Sequence, residues 1–160
     1  MDYCNSLYAS LPRAHTKKLQ KLINSAVRFI FSIKGKARFE HITPHLLELH
    51  FLLVEYSIKF KICLLIYKVF NCKSPSYIKD LISKRLPYPN RSLRKDTDQL
   101  LLQIKEPARQ NYKNRSFSCV APEIWNHLPT NIRNSQLLFC FKSQLKTFFY
   151  TEWTKSLIKE

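Results

Sequence analysis

Val54-Glu55-Tyr56-Ser57-Ile58-Lys59-Phe60-Lys61-Ile62-Cys63-Leu64-Leu65-Ile66-Tyr67-Lys68-Val69-Phe70 carries apolar side chains at 54, 58, 62, 65, 66 and 69, the three- and four-residue steps of one helical face. Phe60, Leu64 and Tyr67 fill the other sides, so a helix over 54–70 is apolar nearly all round. Such a helix has almost no face to give to water and belongs at the centre of a helical core. The rest of the fold has to be arranged around it.

Upstream, Leu19, Leu22, Ile23, Ala26, Val27, Ile30 and Ile33 repeat at helical steps, which predicts a helix over 14–33 with Lys17, Lys18, Lys21 and Arg28 outside its apolar stripe. A shorter helix over 2–9 is ended by Pro12. Gly35, flanked by Lys34, Lys36 and Arg38, makes a basic loop. Thr43-Pro44 reads as an N-cap with proline in the first turn of a helix to 49. Asn71 reads as a left-handed terminator of the central helix, and Ser74-Pro75 starts another over 74–83.

Downstream, Pro87, Pro89, Asn90, Asp96 and Asp98 predict a loop over 84–99. The run 100–104 reads as a short strand or equally as a helical turn, stopped by Pro107. A helix over 121–127 closes at Pro129. Ser135 caps a last helix to 153, with Leu138, Phe141, Leu145, Phe148 and Phe149 inward and Lys142 and Lys146 outward. The expected fold is all-α: an irregular helical bundle of about six to seven helices with a loop-rich middle and at most one short β-strand pair. Its expected parts are 1–83 and 84–160 (loop-rich over 84–118, helical over 119–153), packed as one unit.

The 160 residues are 45% hydrophobic, enough for a core, and a chain disordered throughout is excluded. Lys and Arg number 27 against 11 Asp and Glu, a net charge of +16 that calls for a polyanionic partner. The longest apolar run, 62–67, is far below the roughly 20 residues of a membrane span, so no membrane partner is expected. Met1-Asp2-Tyr3-Cys4-Asn5 does not read as a secretion signal. The five cysteines (Cys4, Cys63, Cys72, Cys119 and Cys140) therefore read as reduced thiols of an intracellular protein, nuclear or cytoplasmic, packed like small hydrophobes.

Catalytic chemistry finds little material. Metal-dependent polymerases and nucleases need converging carboxylates. Asp96 and Asp98 are the only close pair, set beside Arg94 and Lys95 in a solvated loop; Glu48, Glu55, Asp80 and Glu123 stand apart. His41, His45 and His50 are near in sequence, but Pro44 breaks their register and no cysteine stands at zinc-ligand spacing. His15 and His127 are single. Cys63 and Cys72 fit neither a zinc ribbon nor a redox pair. One glycine cannot build a phosphate loop. No cofactor, small-molecule substrate or reaction is expected of this chain.

The basic residues are more informative. Between 3 and 39 stand eight Lys or Arg (Arg13, Lys17, Lys18, Lys21, Arg28, Lys34, Lys36 and Arg38) and no acid. A second cluster holds Lys84, Arg85, Arg91, Arg94 and Lys95, and a third Arg109, Lys113 and Arg115. Of these, the first eight with Arg91, Arg94, Lys95 and Arg115 are the expected contacts to a nucleic-acid backbone, made without sequence readout. Tyr88, Tyr112 and Phe117 either stack on bases or anchor their loops to the core while the charges are merely solvated.

Asp2-Tyr3-Cys4-Asn5-Ser6-Leu7-Tyr8-Ala9-Ser10-Leu11-Pro12 resembles the stretch that follows the palm in non-LTR (LINE-type, jockey-related) retrotransposon reverse transcriptases. Further blocks are similar in the same order: Ile42-Thr43-Pro44 with Leu47-Glu48-Leu49-His50, Tyr56-Ser57-Ile58-Lys59-Phe60-Lys61-Ile62, Ser74-Pro75-Ser76-Tyr77-Ile78, Arg91-Ser92-Leu93-Arg94, Asn114-Arg115-Ser116-Phe117-Ser118, Ala121-Pro122-Glu123-Ile124-Trp125-Asn126-His127-Leu128-Pro129 and Phe141-Lys142-Ser143-Gln144-Leu145-Lys146. The resemblance spans nearly the whole chain. It implies a thumb-like helical region over 1–83 and a C-terminal extension behind it, with RNA or an RNA/DNA template–primer and an upstream palm as partners. The paired aspartates of the palm and the endonuclease belong upstream in such a polymerase, and neither motif is present here. Phe51 and Leu53 stand where the family usually has Trp and Pro, and Cys72-Lys73 replaces a glycine-containing turn, the mark of a divergent copy. The rival expectation is a domesticated interaction module that docks on protein through an exposed apolar surface.

Overall fold

The computed structural model describes residues 8–9, 11–33, 41–71, 74–84, 100–104 and 116–158. Among them lie seven helices: α1 (Arg13–Ile30), α2 (Thr43–Glu48), α3 (Val54–Phe70), α4 (Ser76–Leu81), α5 (Phe117–Asn126), α6 (Thr130–Arg133) and α7 (Leu138–Ile158). The fold is all-α, as the hydrophobic periods predict. Lys84 and Leu102 form an isolated antiparallel bridge, and no strand occurs among the described residues. Most of the helix expected over 2–9, all but Tyr8 and Ala9, and most of the 84–99 loop lie outside the described residues.

α3 has the predicted bounds and the predicted place. Ile62, Cys63 and Ile66 are fully buried, and α1, α4, α5 and α7 all pack on this helix. Tyr67 stacks on Phe141 of α7 at 4.1 Å between centroids, and Trp125 of α5 lies 5.5 Å from Phe70 and 6.0 Å from Phe141. These offset and tilted rings tie three helices together. The Tyr67 hydroxyl reaches the backbone carbonyls of Ser135 and Gln136, both at 2.9 Å, and so holds the α6–α7 connection against α3. A smaller cluster of Val27, Leu46 and Trp153 closes the other end of the bundle. There Tyr150 donates to the Leu47 carbonyl at 3.1 Å.

The segment 100–104 has one backbone bond to its neighbour, Gln103 N–H to the Ser83 carbonyl at 2.9 Å, and is otherwise held by side chains. Asn126 accepts from the Leu102 N–H and donates to the Leu102 carbonyl, both at 2.9 Å, as a neighbouring strand would. Trp125 Nε1 donates to the Leu100 carbonyl at 2.7 Å. Buried backbone groups must find partners, and here a carboxamide and an indole supply them. That is why the apolar run forms one bridge and no strand pair.

Helix ends depart from expectation in several places. Thr43 is the first helical residue and Ile42 the cap. Asn71 stays right-handed (φ −93°, ψ 16°) and its side-chain amide donates to the Tyr67 carbonyl at 2.8 Å, satisfying the last turn directly. Left-handed geometry falls instead on Ser32 (φ 52°) and His50 (φ 53°). At each, the residue's own N–H and the next one fold back on the helix: Ser32 to Phe29 and Ile33 to Arg28, then His50 to Leu47 and Phe51 to Leu46. Both are Schellman ends, built without the glycine that usually occupies them. Pro75 caps α4, so that helix starts at Ser76 and stops at Leu81. α5 begins at Phe117, four residues before the predicted start, and keeps the buried Pro122 inside it. Pro129, read as a terminator, precedes the unpredicted α6 and presets its first turn. Ser135 does not cap α7: its hydroxyl donates to Gln144 Oε1 at 2.7 Å, and the helix starts at Leu138.

α7 runs on to Ile158, past the predicted 153, and buries Phe141, Leu145, Phe149 and Trp153 in one four-residue line. Leu138 and Phe148 pack half-buried beside it, while Lys142 and Lys146 face solvent as expected. No described helix is long and apolar enough to cross a membrane.

Candidate nucleic-acid interface

α1 departs furthest from its predicted pattern. Of the expected stripe only Val27 is fully buried; Leu19, Ile23 and Ile33 are half-buried, while Leu22 (59%), Ala26 and Ile30 (57%) are exposed. The buried line instead includes Thr16, whose hydroxyl donates to the Arg13 carbonyl at 3.0 Å. Beside it Gln20 Oε1 accepts the Val54 N–H at 2.9 Å and so caps the start of α3. Gln20 ties this side of α1 to α3, and Thr16, its hydroxyl satisfied within α1, is buried beside it, so the helix seats away from its most apolar arc.

At about 100° per residue, the remaining circumference divides into two lanes. Arg13, Lys17 and Lys21 stand one above another at four-residue steps, roughly 6 Å apart, with Lys18 at the outer edge; all four are exposed. Arg28 continues the lane and is half-buried. Gln20 and Asn24, joined at 2.9 Å, separate these cations from the core side. The second lane holds Leu22, Ala26, Phe29 and Ile30, with Phe29 85% exposed.

The electrostatics of the N-terminal half of α1 are unfavourable by themselves, while Arg28 in the last turn suits the dipole. No acid occupies its first turn, Arg13 sits at the positive end of the helix dipole, and Arg13/Lys17 and Lys17/Lys21 are like charges one turn apart. Each like-charge pair costs roughly 0.2–0.5 kcal/mol and a cation at the N-terminus roughly 0.3–1 kcal/mol.

Lys34, Lys36, Arg38, Arg91, Arg94, Lys95 and Arg115 lie outside the described residues, as do Tyr88 and Tyr112. Lys84 is described and exposed, with its ammonium over the Phe70 ring at 5.4 Å. Phe117 packs half-buried against the core, which favours the anchoring reading over stacking. Two residues of chemical interest carry little signal in the sequence. Phe29 was legible in part, since it falls off the apolar stripe beside Arg28. Arg133 carried no local signal: buried at 6% exposure, it reaches Thr130 Oγ1 at 3.3 Å. It lines an open cleft of about 370 Å3 with Tyr67, Phe70 and Trp125.

Metal and nucleophile candidates are scattered. No group of three or more His, Cys, Asp or Glu comes together among the described residues. His45 packs on Phe31 at 4.6 Å, His50 lies over Tyr150 at 6.2 Å, and His127 pairs with Glu152 at 3.3 Å. Glu48, Glu55, Asp80 and Glu123 are each exposed, and Asp96 and Asp98 lie outside the described residues.

The cysteines divide. Cys63 is buried as expected, Cys119 is half-buried, and Cys140 is exposed, contrary to the expectation that all pack as small hydrophobes. Cys140 falls on the outer side of α7, one residue short of the buried Phe141, so helical phase overrides its apolar setting. Cys4 and Cys72 lie outside the described residues. Burial pushes the Cys63 thiol above its ordinary range, only partly opposed by Lys59. A raised folded-state value means the native chain holds this proton where the unfolded chain releases it, above about pH 8.5. Stability from this group is therefore present at neutral pH and lost as pH rises past that range. At pH 8 iodoacetamide should modify Cys140 in the folded chain and leave Cys63 untouched until urea unfolds it; mass spectrometry of digests would read both, and native labelling of Cys63 would refute the buried placement.

No family model, no curated protein and no solved structure matches the chain.

Proposed function

We propose that this chain is a non-catalytic, nucleic-acid-gripping helical piece of the kind that follows the palm in a non-LTR retrotransposon reverse transcriptase, acting on RNA or a template–primer inside the cell. It binds backbone phosphate without sequence readout, and any reaction belongs to an upstream palm.

The observation that carries this reading is α1. Its solvent face holds Arg13, Lys17, Lys18 and Lys21 with no acid on the helix and with Arg13 placed against the helix dipole. A surface that breaks local rules without internal compensation points to an external partner. A row of phosphates would turn the repulsion within the lane into attraction.

The test is fluorescence anisotropy of a labelled DNA primer–template duplex across a salt series. Four phosphate contacts give a log–log slope of about −3.6, so affinity should fall roughly 150-fold between 50 and 200 mM salt. A flat salt response would overturn the proposal. Protein docking is a second reading, favoured by Leu137 (66% exposed) and Phe139 (81% exposed) at the start of α7. Its signature in the same samples is concentration-dependent association that salt does not weaken.

A further inference from the structure

The apolar lane of α1 is left unexplained by phosphate contact. Phe29 is 85% exposed, Leu22 59% and Ile30 57%, on a helix whose opposite side is buried in the core. The lane adjoins the cations: Lys18 and Leu22 are one turn apart, and Phe29 follows Arg28 by one residue, about 100° round the axis. Leu22 and Phe29 lie two turns apart on nearly the same line, separated by roughly 10.5 Å. Large apolar side chains kept in water cost free energy that contact with an apolar partner would recover.

We infer that this lane is a base-stacking platform and that α1 selects single-stranded over double-stranded nucleic acid. The inference rests on the phosphate-binding reading proposed above and names the substrate that reading leaves open. Charge complementarity identifies the occupant. The cation lane requires a polyanion, and the neighbouring lane requires that the same molecule present flat apolar surface beside its charges. A duplex does not meet the second requirement, because its bases stack on one another and its outer surface is sugar and phosphate. An unpaired strand meets both, with phosphates along Arg13, Lys17 and Lys21 and an unstacked base on Phe29.

The test uses the full chain with two probes, a fluorescein-labelled 20-nucleotide oligothymidylate and a 20-base-pair DNA duplex, at one fixed low salt concentration. The single strand should bind more tightly than the duplex. Phe29→Ala should weaken single-strand binding by about 5- to 150-fold, the loss of one stacked base, and leave duplex binding within about twofold. Phe29→Trp should restore the affinity, and its emission should be quenched when the oligothymidylate is added. Phe29 is too exposed for its truncation to unfold α1, and circular dichroism checks this. Equal effects of Phe29→Ala on both probes, or none on either, would overturn the inference while the phosphate reading stands. Phe29→Ala dissolving a self-associated species with single-strand affinity unchanged would assign the lane to a second copy, which also overturns it. Failure of wild type to bind either probe would remove the phosphate reading itself.

Discussion

Arg13→Glu, Lys17→Glu, Lys18→Glu, Lys21→Glu and Arg28→Glu, introduced together, should abolish binding to a primer–template duplex while the helical circular dichroism signal persists. The loss should be on the order of 100-fold or more at 50 mM salt, since each phosphate contact contributes its own counterion release and each introduced carboxylate adds repulsion. The design separates local from global charge, because the variant remains net positive: the unmodified chain carries +16. The exposed positions of the lane tolerate the exchange without loss of fold. Glutamate at position 13 suits the helix dipole better than arginine, and the cation pairs one turn apart become carboxylate pairs of the same modest cost, so the balance within α1 changes little. Arg28 is the exception, because it is half-buried. A four-site variant that keeps Arg28 controls for it and should lose nearly as much affinity. Retained binding in both variants would locate the contact elsewhere on the surface and defeat the assignment to α1.

The parts of the fold legible in the sequence were those with an unambiguous helical period and a buried partner on most sides. α3 satisfies both conditions and was read to the residue; α7 has a four-residue line of large apolar side chains and was read except at its ends. α1 has as strong a period as either, yet three of its seven stripe positions face water. Its seat includes two polar residues, Gln20 bonded to the start of α3 and Thr16 satisfied within α1, and periodicity counts only apolar ones. Helix ends were misread for a related reason. With one glycine available, left-handed turns fall on Ser32 and His50, which carry no termination signal, while Asn71 acts through its side chain. The docking of 100–104 on Asn126 joins positions 24 residues apart in the chain, and no local pattern announces it. For the candidate site, charge and the absence of acid located the basic face of α1. Phe29 was missed because an apolar residue off the stripe reads as noise until the stripe has been placed.

Trp125→Ala should be the most damaging single substitution in the core. The indole is fully buried between Phe70 and Phe141, and its N–H is the partner of the Leu100 carbonyl. Truncating a buried tryptophan costs roughly 3–5 kcal/mol through lost transfer energy and the cavity left behind. Stranding the carbonyl adds about 1–3 kcal/mol where water cannot reach it. Domains of this size have about 5–15 kcal/mol in total, so the variant should be marginally folded at 25 °C, with its urea midpoint displaced towards zero. Trp125→Phe separates the two contributions. It keeps an aromatic ring against Phe70 and Phe141 and removes the N–H, so its cost should be well below that of alanine. Its damage should concentrate at 100–104, where hydrogen exchange should accelerate. α1 packs on α3 and not on α5 among the principal helix contacts, so phosphate binding should survive Trp125→Phe. Urea melts followed at 222 nm measure both variants. A cost below about 1 kcal/mol for alanine, outside the range for burying a residue of this size, would mean that Trp125 does not join α3, α5 and α7, and the arrangement of the bundle around α3 would be wrong.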